Sequence, residues 1–410
     1  MKNYIYLMLD FNASRRYSHH WSYVKKYKDF LENLNEPYEI WIPKNAHPDI
    51  VLGLGKTSKT ILQSNAFGYE KYENLYYWFV FKIIDLLLYQ LKDKISSQKL
   101  EILKKFFSRL YVNTPYKQIR AISSYGIEIN LVFPTMDSLA FRLVERCLNQ
   151  GVQIKKVCFR LGSNYKDVFK VDDIENRLDK LITKFPDCVI ALGYETIAHK
   201  QILLKNGLKP DNLYWTPAPP AKKCVITKLD SQVLTLGFLG VARPSKGFVE
   251  IPELLKSLSC NQIPFKAIVQ EALYPWAEYR NTIRELVDFS GTVTILPANI
   301  SNQELQSVFK TIDILILPYN TDSYKLAGSG LLFDSADLSI PIVTKKGVAF
   351  EWDVKEYSLG FVYENSEDFA EKISNYLLTY ENNYGFKLYN SDRRLAIKTF
   401  LSIGDTNNAE

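Results

Sequence analysis

Short apolar runs bounded by turn residues alternate with amphipathic stretches along most of the chain, and this alternation limits the possible folds more than any other feature. From the N terminus, NYIYLMLDF (residues 3–11), YEIWIP, IEINLVF, KKVCFRL and DCVIAL read as strands. Helical spacing follows in about Trp21 to Leu34, in MDSLAFRLVERCLNQG and in YETIAHKQILLKNG. The rhythm then restarts: VLTLGFLG, FKAIVQ, VTILP, DILILPY, IPIVT and GFVYE read as strands, and GFVEIPELLKSL, WAEYRNTIRELVDFSG, SNQELQSVFKTI, SGLLFDSADLS and SEDFAEKISNYLLTYENN as helices. Strand and helix in alternation is the pattern of a parallel sheet covered by helices on both faces. The expected fold is α/β, with two successive doubly wound domains.

A length of 410 residues exceeds one ordinary core and predicts two domains of roughly 200 residues each. The break falls in YWTPAPPAKK (Tyr214 to Lys223), a proline-rich stretch without periodicity, which is linker composition. The predicted domains are therefore 1–218 and 219–386, with a terminal helix over 387–410. Residues from about 70 to 112 interrupt the rhythm and read as Lys-rich, aromatic helices inserted into the first domain. Their most apolar part, Leu75 to Leu91, is broken by Lys82 and Asp85 and is too short to span a bilayer. The apolar run at the start is too brief for a signal peptide and reads as the first strand.

Lys and Arg number 51 against 45 Asp and Glu, a formal charge of +6. An excess this mild fits an anionic small molecule or an anionic membrane surface, and falls short of a nucleic-acid-binding signature. The five cysteines (Cys147, Cys158, Cys188, Cys224, Cys260) are scattered, odd in number and lack a C-x-x-C. Reduced thiols in a cytosolic protein are expected, with neither a zinc site nor a disulfide framework.

Two loops at predicted strand ends carry chemistry. LPYNTDSYKLAGSGLLFDSADLSIPIV (Leu317 to Val343) places Gly328, Ser329 and Gly330 ahead of a helix that starts near Ser329. A helix N terminus offers unsatisfied N–H groups and a positive dipole end, and glycine lets a phosphate approach the backbone. Asp334, one turn into that helix, is placed to accept from hydroxyls attached to the phosphate; a tight turn with a solvated acid is the plainer account. LGFLGVARPSKGF puts Gly237, Gly240, Arg243, Lys246 and Gly247 on the loop after the second domain's first strand. A glycine-lined strand end with two cations suits a diphosphate, although surface Arg and Lys are usually only solvated.

On these residues the second domain resembles the donor-binding half of the GT-B glycosyltransferases, in particular the large retaining group that uses nucleotide-diphosphate sugars. The matching segments are FLGVARPSKG and the long stretch from Leu317, within roughly Leu234 to Leu378; in the first domain the likeness is only architectural. The resemblance implies two Rossmann-like domains facing across a cleft. It implies that Arg243 and Lys246 hold the donor diphosphate beside Gly240, and that Gly328, Ser329, Gly330 and Leu331 seat the phosphates. Asp334 falls on the second acid of the family's Glu-x7-Glu motif and would bind the ribose. The first acid would fall at Leu326, which leaves the sugar-contacting role to Asp322, Tyr324 or Lys325.

In the same reading the acceptor is met by first-domain loops. FNASRRYSHHW holds Arg15 and Arg16, which suit a phosphate, and His19 and His20, of which one suits a base or a sugar contact. Asp137, Arg160 and Glu195 end strands and are further acceptor candidates, each with a structural ion pair as its plainer account. His47 and His199 read as structural. No Asp-x-Asp and no cluster with ligand spacing occurs, so metal-independent transfer is expected, with Arg243, Lys246 and helix dipoles at the leaving group. No cofactor is expected beyond the nucleotide sugar as donor substrate. The Lys-rich insert is the candidate for a peripheral membrane contact or a lipid-linked acceptor, and core helices with a solvated Lys face are the simpler account of it. Expected, then, is a cytosolic glycosyltransferase that uses a saccharide or lipid-linked acceptor, in bacterial cell-surface polysaccharide or lipopolysaccharide assembly. The alternatives are a nucleotide-sugar epimerase and a catalytically degenerate binder.

Overall fold

In the computed structural model the described residues are 3–11, 13, 19–43, 46, 48–62, 112–163, 174–221, 233–273, 276–289, 292–379 and 384–402. They form two compact units. The first draws on the chain up to Gly193, on Asn206–Tyr214 and on the chain from Thr399; the second comprises Tyr194–Lys205 and Trp215–Lys398.

The first unit is built on a seven-stranded sheet. Its elements run β1 (Tyr4–Leu9), α1 (His19–Asn33), β2 (Tyr38–Pro43), α2 (Pro48–Leu54), β3 (Ser58–Leu62), α3 (112–124), β4 (Glu128–Phe133), α4 (Ser138–Asn149), β5 (Ile154–Arg160), α5 (Ile174–Lys184) and β6 (Val189–Tyr194). Next come α6 (Ile197–Lys205), which belongs to the second unit, and β7 (Leu213–Trp215). The strand order is β3-β2-β1-β4-β5-β6-β7, with parallel pairing from β3 through β6. A sheet covered on both faces needs strands that are apolar on both, and β1, β4 and β5 are buried along most of their length.

The second unit carries a six-stranded parallel sheet in the order β10-β9-β8-β11-β12-β13. Its elements are β8 (Leu234–Phe238), α7 (Ile251–Cys260), β9 (Phe265–Gln270), α8 (Ala277–Val287), β10 (Val293–Leu296), α9 (Asn302–Phe309), β11 (Ile314–Leu317), α10 (Gly330–Asp337), β12 (Ile342–Lys345), α11 (Glu351–Glu356), β13 (Gly360–Tyr363), α12 (Ser366–Thr379) and α13 (Tyr384–Ser402), the last turn of which, from Thr399, belongs to the first unit. Local chemistry sets the helix ends: Ser301 and Glu304 close a capping box on α9. Burial of Ile251, Leu254, Leu255 and Leu258 gives α7 one apolar stripe against the sheet.

Both sheets have the doubly wound order, with the first strand in the middle and the chain winding outward to either side. The crevice beyond the carboxyl ends of β8 and β11, where the winding reverses, is the ligand position of such sheets. Every strand expected from the sequence is present. The expectations omitted β3, β7, α2, α3, α5 and the short α11.

One buried polar cluster ties the second unit together. Arg393 on α13 is fully buried. Its Nη1 donates to Asp337 Oδ1 at 2.9 Å and Asn390 Oδ1 at 2.6 Å, while Nε and Nη2 donate to the Ala218 carbonyl at 3.1 and 2.7 Å. The proline-rich stretch of linker composition is thus held at Ala218. The helical insert of about 70–112, with its membrane expectation, lies outside the described residues, as do Arg15, Arg16, His47 and Cys224.

Candidate functional site

The loop leaving β8 is built around two glycines. Gly240 has φ +85°. Its N–H donates to Gln270 Oε1 at 2.7 Å, and Gln270 Nε2 donates onward to the Ala298 carbonyl at 2.7 Å, so the buried end of β9 holds the turn. A Cβ on Gly240 would collide with Lys246 Nζ and stand 2.9 Å from Leu331 Cδ1. The ammonium of Lys246 and the first turn of α10 therefore converge on the bare face of Gly240, and only glycine leaves that face open.

Residues Pro244–Lys246 form a tight 3₁₀ turn that ends at Gly247, with φ +68°. The Asn320 N–H donates to the Ser245 carbonyl at 3.0 Å, which pins the end of β11 to this turn. A Cβ at Gly247 would overlap the Pro318 carbonyl oxygen. Gly247→Ala is therefore expected to cost at least the ~1–2 kcal/mol of a left-handed side chain, plus the displacement of Pro318. The urea unfolding midpoint measures this loss, and an unchanged midpoint would contradict it.

Lys246 is half-buried, its Nζ 5.9 Å from the centroid of the Tyr319 ring. Among the described residues it has no carboxylate within ion-pair distance, and neither has Arg243, which is exposed. Burial, with the Arg243 charge adding to it, lowers the Lys246 ammonium to about 8. Tyr319 is buried, its ring centroid 4.3 Å from that of Tyr324 with the planes tilted by 43°, and burial raises its hydroxyl well above the usual value. Burial also raises the Tyr324 hydroxyl, a rise that the nearby Arg243 cation opposes. Arg243 and Lys246 thus form a cationic edge over two tyrosines, open to an anion.

Ser329 occupies the N-cap of α10 without a side-chain cap bond. Its buried hydroxyl lies near that of Tyr319 without closing a bond of good geometry. The first-turn N–H groups have no carbonyl partner within the helix. Ahead of them, the Gly328 N–H donates to Glu195 Oε2 at 3.1 Å, and Thr196 Oγ1 donates to the Leu326 carbonyl at 2.8 Å. Glu195, expected on the acceptor side, belongs to the second unit, on the segment before α6. Asp334 is half-buried on α10, whereas Asp322 and Lys325 are exposed on the turn after β11.

The second unit thus brings together Gly240, Arg243, Lys246, Tyr324, Gly328, Ser329, Gly330 and Leu331 at the carboxyl ends of β8 and β11. Three contributors were unmarked in the sequence, Tyr319, Gln270 and Thr196, while Glu195 was marked only as an acceptor candidate. For Tyr319 the available signal was its place next to Pro318 at a strand end.

In the first unit, His19 and His20 open α1. Asp137 is buried, and its Oδ1 accepts from the Leu139 and Ala140 N–H groups at 2.9 and 2.8 Å as the N-cap of α4. Arg160 is buried at the end of β5, its guanidinium 3.8 Å from the centroid of Tyr23 on α1 and its Nη1 3.3 Å from the Pro134 carbonyl. Both side chains hold loops in place. Asp10, which no motif marked, is buried at the end of β1 and accepts from Thr135 Oγ1. Among the described residues no group of three His, Cys, Asp or Glu could hold a metal ion.

No protein-family model matches the chain, and no curated protein sequence matches it. Solved structures do. The chain is similar to a glycosyltransferase from Rickettsia africae, with 12% identity, a TM-score of 0.56, and 97% of this chain and 94% of that one covered. It is similar to the lipopolysaccharide outer core galactosyltransferase WaaB in its apo form, with 11% identity, a TM-score of 0.57, and 98% and 96% covered. It is also similar to Anabaena HepE in complex with UDP and glucose, with 11% identity, a TM-score of 0.53, and 97% and 94% covered. At such identities the likeness is one of fold: two Rossmann-like doubly wound units of the GT-B type.

Proposed function

We propose that the protein is a glycosyltransferase, moving a sugar from a nucleoside-diphosphate donor to a saccharide or lipid-linked saccharide acceptor. The observation that carries this reading is Lys246: a half-buried cation without a carboxylate partner among the described residues, set against Gly240 beside the first turn of α10. A cation kept out of water is costly unless an anion joins it. A diphosphate between Lys246, Arg243 and the N–H groups of Ser329–Leu331 would supply that anion. Asp334 would then accept from the ribose hydroxyls.

Transfer builds negative charge on the departing diphosphate, and prearranged cations and N–H groups stabilise that charge most where water is excluded. In this reading Lys246 and Arg243 do this without a divalent ion. The cell-surface polysaccharide setting is supported by analogy with WaaB, named as a lipopolysaccharide outer core galactosyltransferase. Among the described residues no helix is long and apolar enough to cross a membrane; a cytosolic place, with or without peripheral membrane contact, belongs to the proposal.

The test is thermal shift against UDP, GDP, dTDP, ADP and CMP with their sugar forms. A ligand bound to the folded state at a hundredfold excess over its dissociation constant adds about 2.7 kcal/mol of stability. One nucleotide family is expected to raise the midpoint, and Asp334→Ala is expected to remove most of that rise. No shift with any of them would sink the proposal. Leu326, where the sugar-binding acid of the resembling family would stand, favours a second reading, a nucleotide-sugar binder without turnover. Release of nucleoside diphosphate in the presence of acceptor, lost in Lys246→Ala, would exclude it.

A further inference from the structure

Chain order around the phosphate seat sets out three kinds of chemistry in sequence. Gly328 comes first, its N–H given to the Glu195 carboxylate at 3.1 Å. The first turn of α10 follows, and Asp334 stands one turn beyond it. The Glu195 carboxylate thus meets the loop at Gly328, just before these N–H groups, and Asp334 follows them on α10. A carboxylate repels phosphate, but it is a strong acceptor for hydroxyl groups. A nucleoside-diphosphate sugar has the matching order: a hydroxylated ribose, a diphosphate, a hydroxylated sugar.

The loop itself offers no acid at the sugar end. Leu326 presents an aliphatic side chain, and its carbonyl accepts from Thr196. Asp322 is exposed on the far part of the turn. The Glu195 segment, by contrast, is fixed at three points. Its carbonyl accepts from Trp215 Nε1 at 3.1 Å, Thr196 Oγ1 reaches Leu326, and the His199 N–H donates to Thr196 Oγ1 at 3.2 Å. With its backbone fixed there and its carboxylate accepting from the Gly328 N–H, Glu195 loses little freedom when a ligand arrives.

Building on the reading of this site as a nucleotide-sugar site, we infer that Glu195 recognises ring hydroxyls of the transferred sugar. The donor class is then a nucleoside-diphosphate hexose with free ring hydroxyls on the Gly328 side. The recognising acid comes from the segment before α6, in place of one on the loop at Leu326.

Calorimetric titration of the wild type, Glu195→Gln and Glu195→Ala with UDP and with UDP-glucose tests this, GDP and GDP-mannose replacing them if the wild type binds guanine. Glu195→Ala is expected to weaken the sugar-bearing ligand by about ten- to hundredfold while the bare diphosphate stays within about twofold. Glu195→Gln, which keeps an acceptor, is expected to recover part of the loss. Equal losses for both ligands would reduce Glu195 to a clamp on the loop and overturn the inference. No loss for either would overturn it too. A wild-type protein that binds no nucleotide at all fails one step earlier, taking the site reading and the inference down together.

Discussion

Lys246→Ala is expected to lower nucleoside-diphosphate affinity by about 1.5–3 kcal/mol, the range of a hydrogen bond to a charged group. Transfer should slow further, by ~10²–10³, because the charge on the leaving group grows as the bond breaks. The pH profile separates this role from mere packing. Free Lys246 titrates near 8 because it is buried beside Arg243, and a bound anion raises that value. Above pH 8 binding must therefore take up a proton, so affinity is level below pH 7.5 or so and then falls, by up to about tenfold per pH unit. Lys246→Arg keeps a charge that does not titrate in this range, so its profile should be flat from pH 7 to 9.5. Isothermal titration across that range decides the matter. A bend that survives in Lys246→Arg would assign it to another group. The apo fold follows the same logic: the value of Lys246 is depressed on folding, so its contribution to stability improves as pH rises from about 8 toward 10.5.

Arg393→Leu is expected to be the most damaging change to stability. Removing one partner of a buried ion pair leaves an uncompensated charge and costs about 3–5 kcal/mol. Here the groups that lose the guanidinium are the Asp337 carboxylate, the Asn390 side-chain oxygen and the Ala218 carbonyl. Lysine would not rescue the site, because the three donors of an ammonium sit on one atom and cannot span the acceptors that Nε, Nη1 and Nη2 of the guanidinium reach together. Urea unfolding of the wild type, Arg393→Leu and Arg393→Lys measures the cost, and a loss below 1 kcal/mol or so would contradict it. Asp353 adds a pH signature. Burial raises its carboxyl to about 7, against the pull of Arg393, from an unfolded value of about 3.9. The folded state therefore holds an extra proton between these values, so this group's contribution falls as pH climbs from 4 to 7 and is level above. Without Arg393 the fall should continue beyond pH 7.

The sheets were legible because parallel strands buried on both faces are apolar throughout, as in DILILPY, and their helices carry one stripe. SKTIL, which forms β3, carries a lysine and two hydroxyl side chains in five residues, so no apolar run announces it. LYW, forming β7, is too short to show a period, and EWDVKE, forming α11, spans under two turns. Gly240, Lys246 and Gly328–Gly330, singled out in the sequence as strand-end residues, do come together at the carboxyl ends of β8 and β11, because the strand-to-helix loops of a parallel sheet all emerge at that end. Asp137 and Arg160 drew attention as polar groups at strand ends, a signal that a helix cap and a cation stacked on Tyr23 produce as well. Glu195 could be seen as a strand-end acid, but not its partner: 133 residues separate it from Gly328, and only the folded chain brings the two together.

The first unit is finished by the last turn of α13. Tyr6 Oη donates to the Leu401 carbonyl at 3.1 Å, as does Lys156 Nζ at 2.6 Å, and Cys158 Sγ lies 3.3 Å from the Phe400 carbonyl. A lysine with no exposed surface thus depends on residues that leave the ribosome some 245 positions later. During synthesis, strands β1, β4 and β5 can pair before this part of their cover, at the end of α13, exists. The two units accordingly do not mature in the order in which they are made: the unit begun first is the last to close. Shortening the chain ahead of Phe400 would leave the earliest-made sheet without part of its cover, even though the second unit had folded.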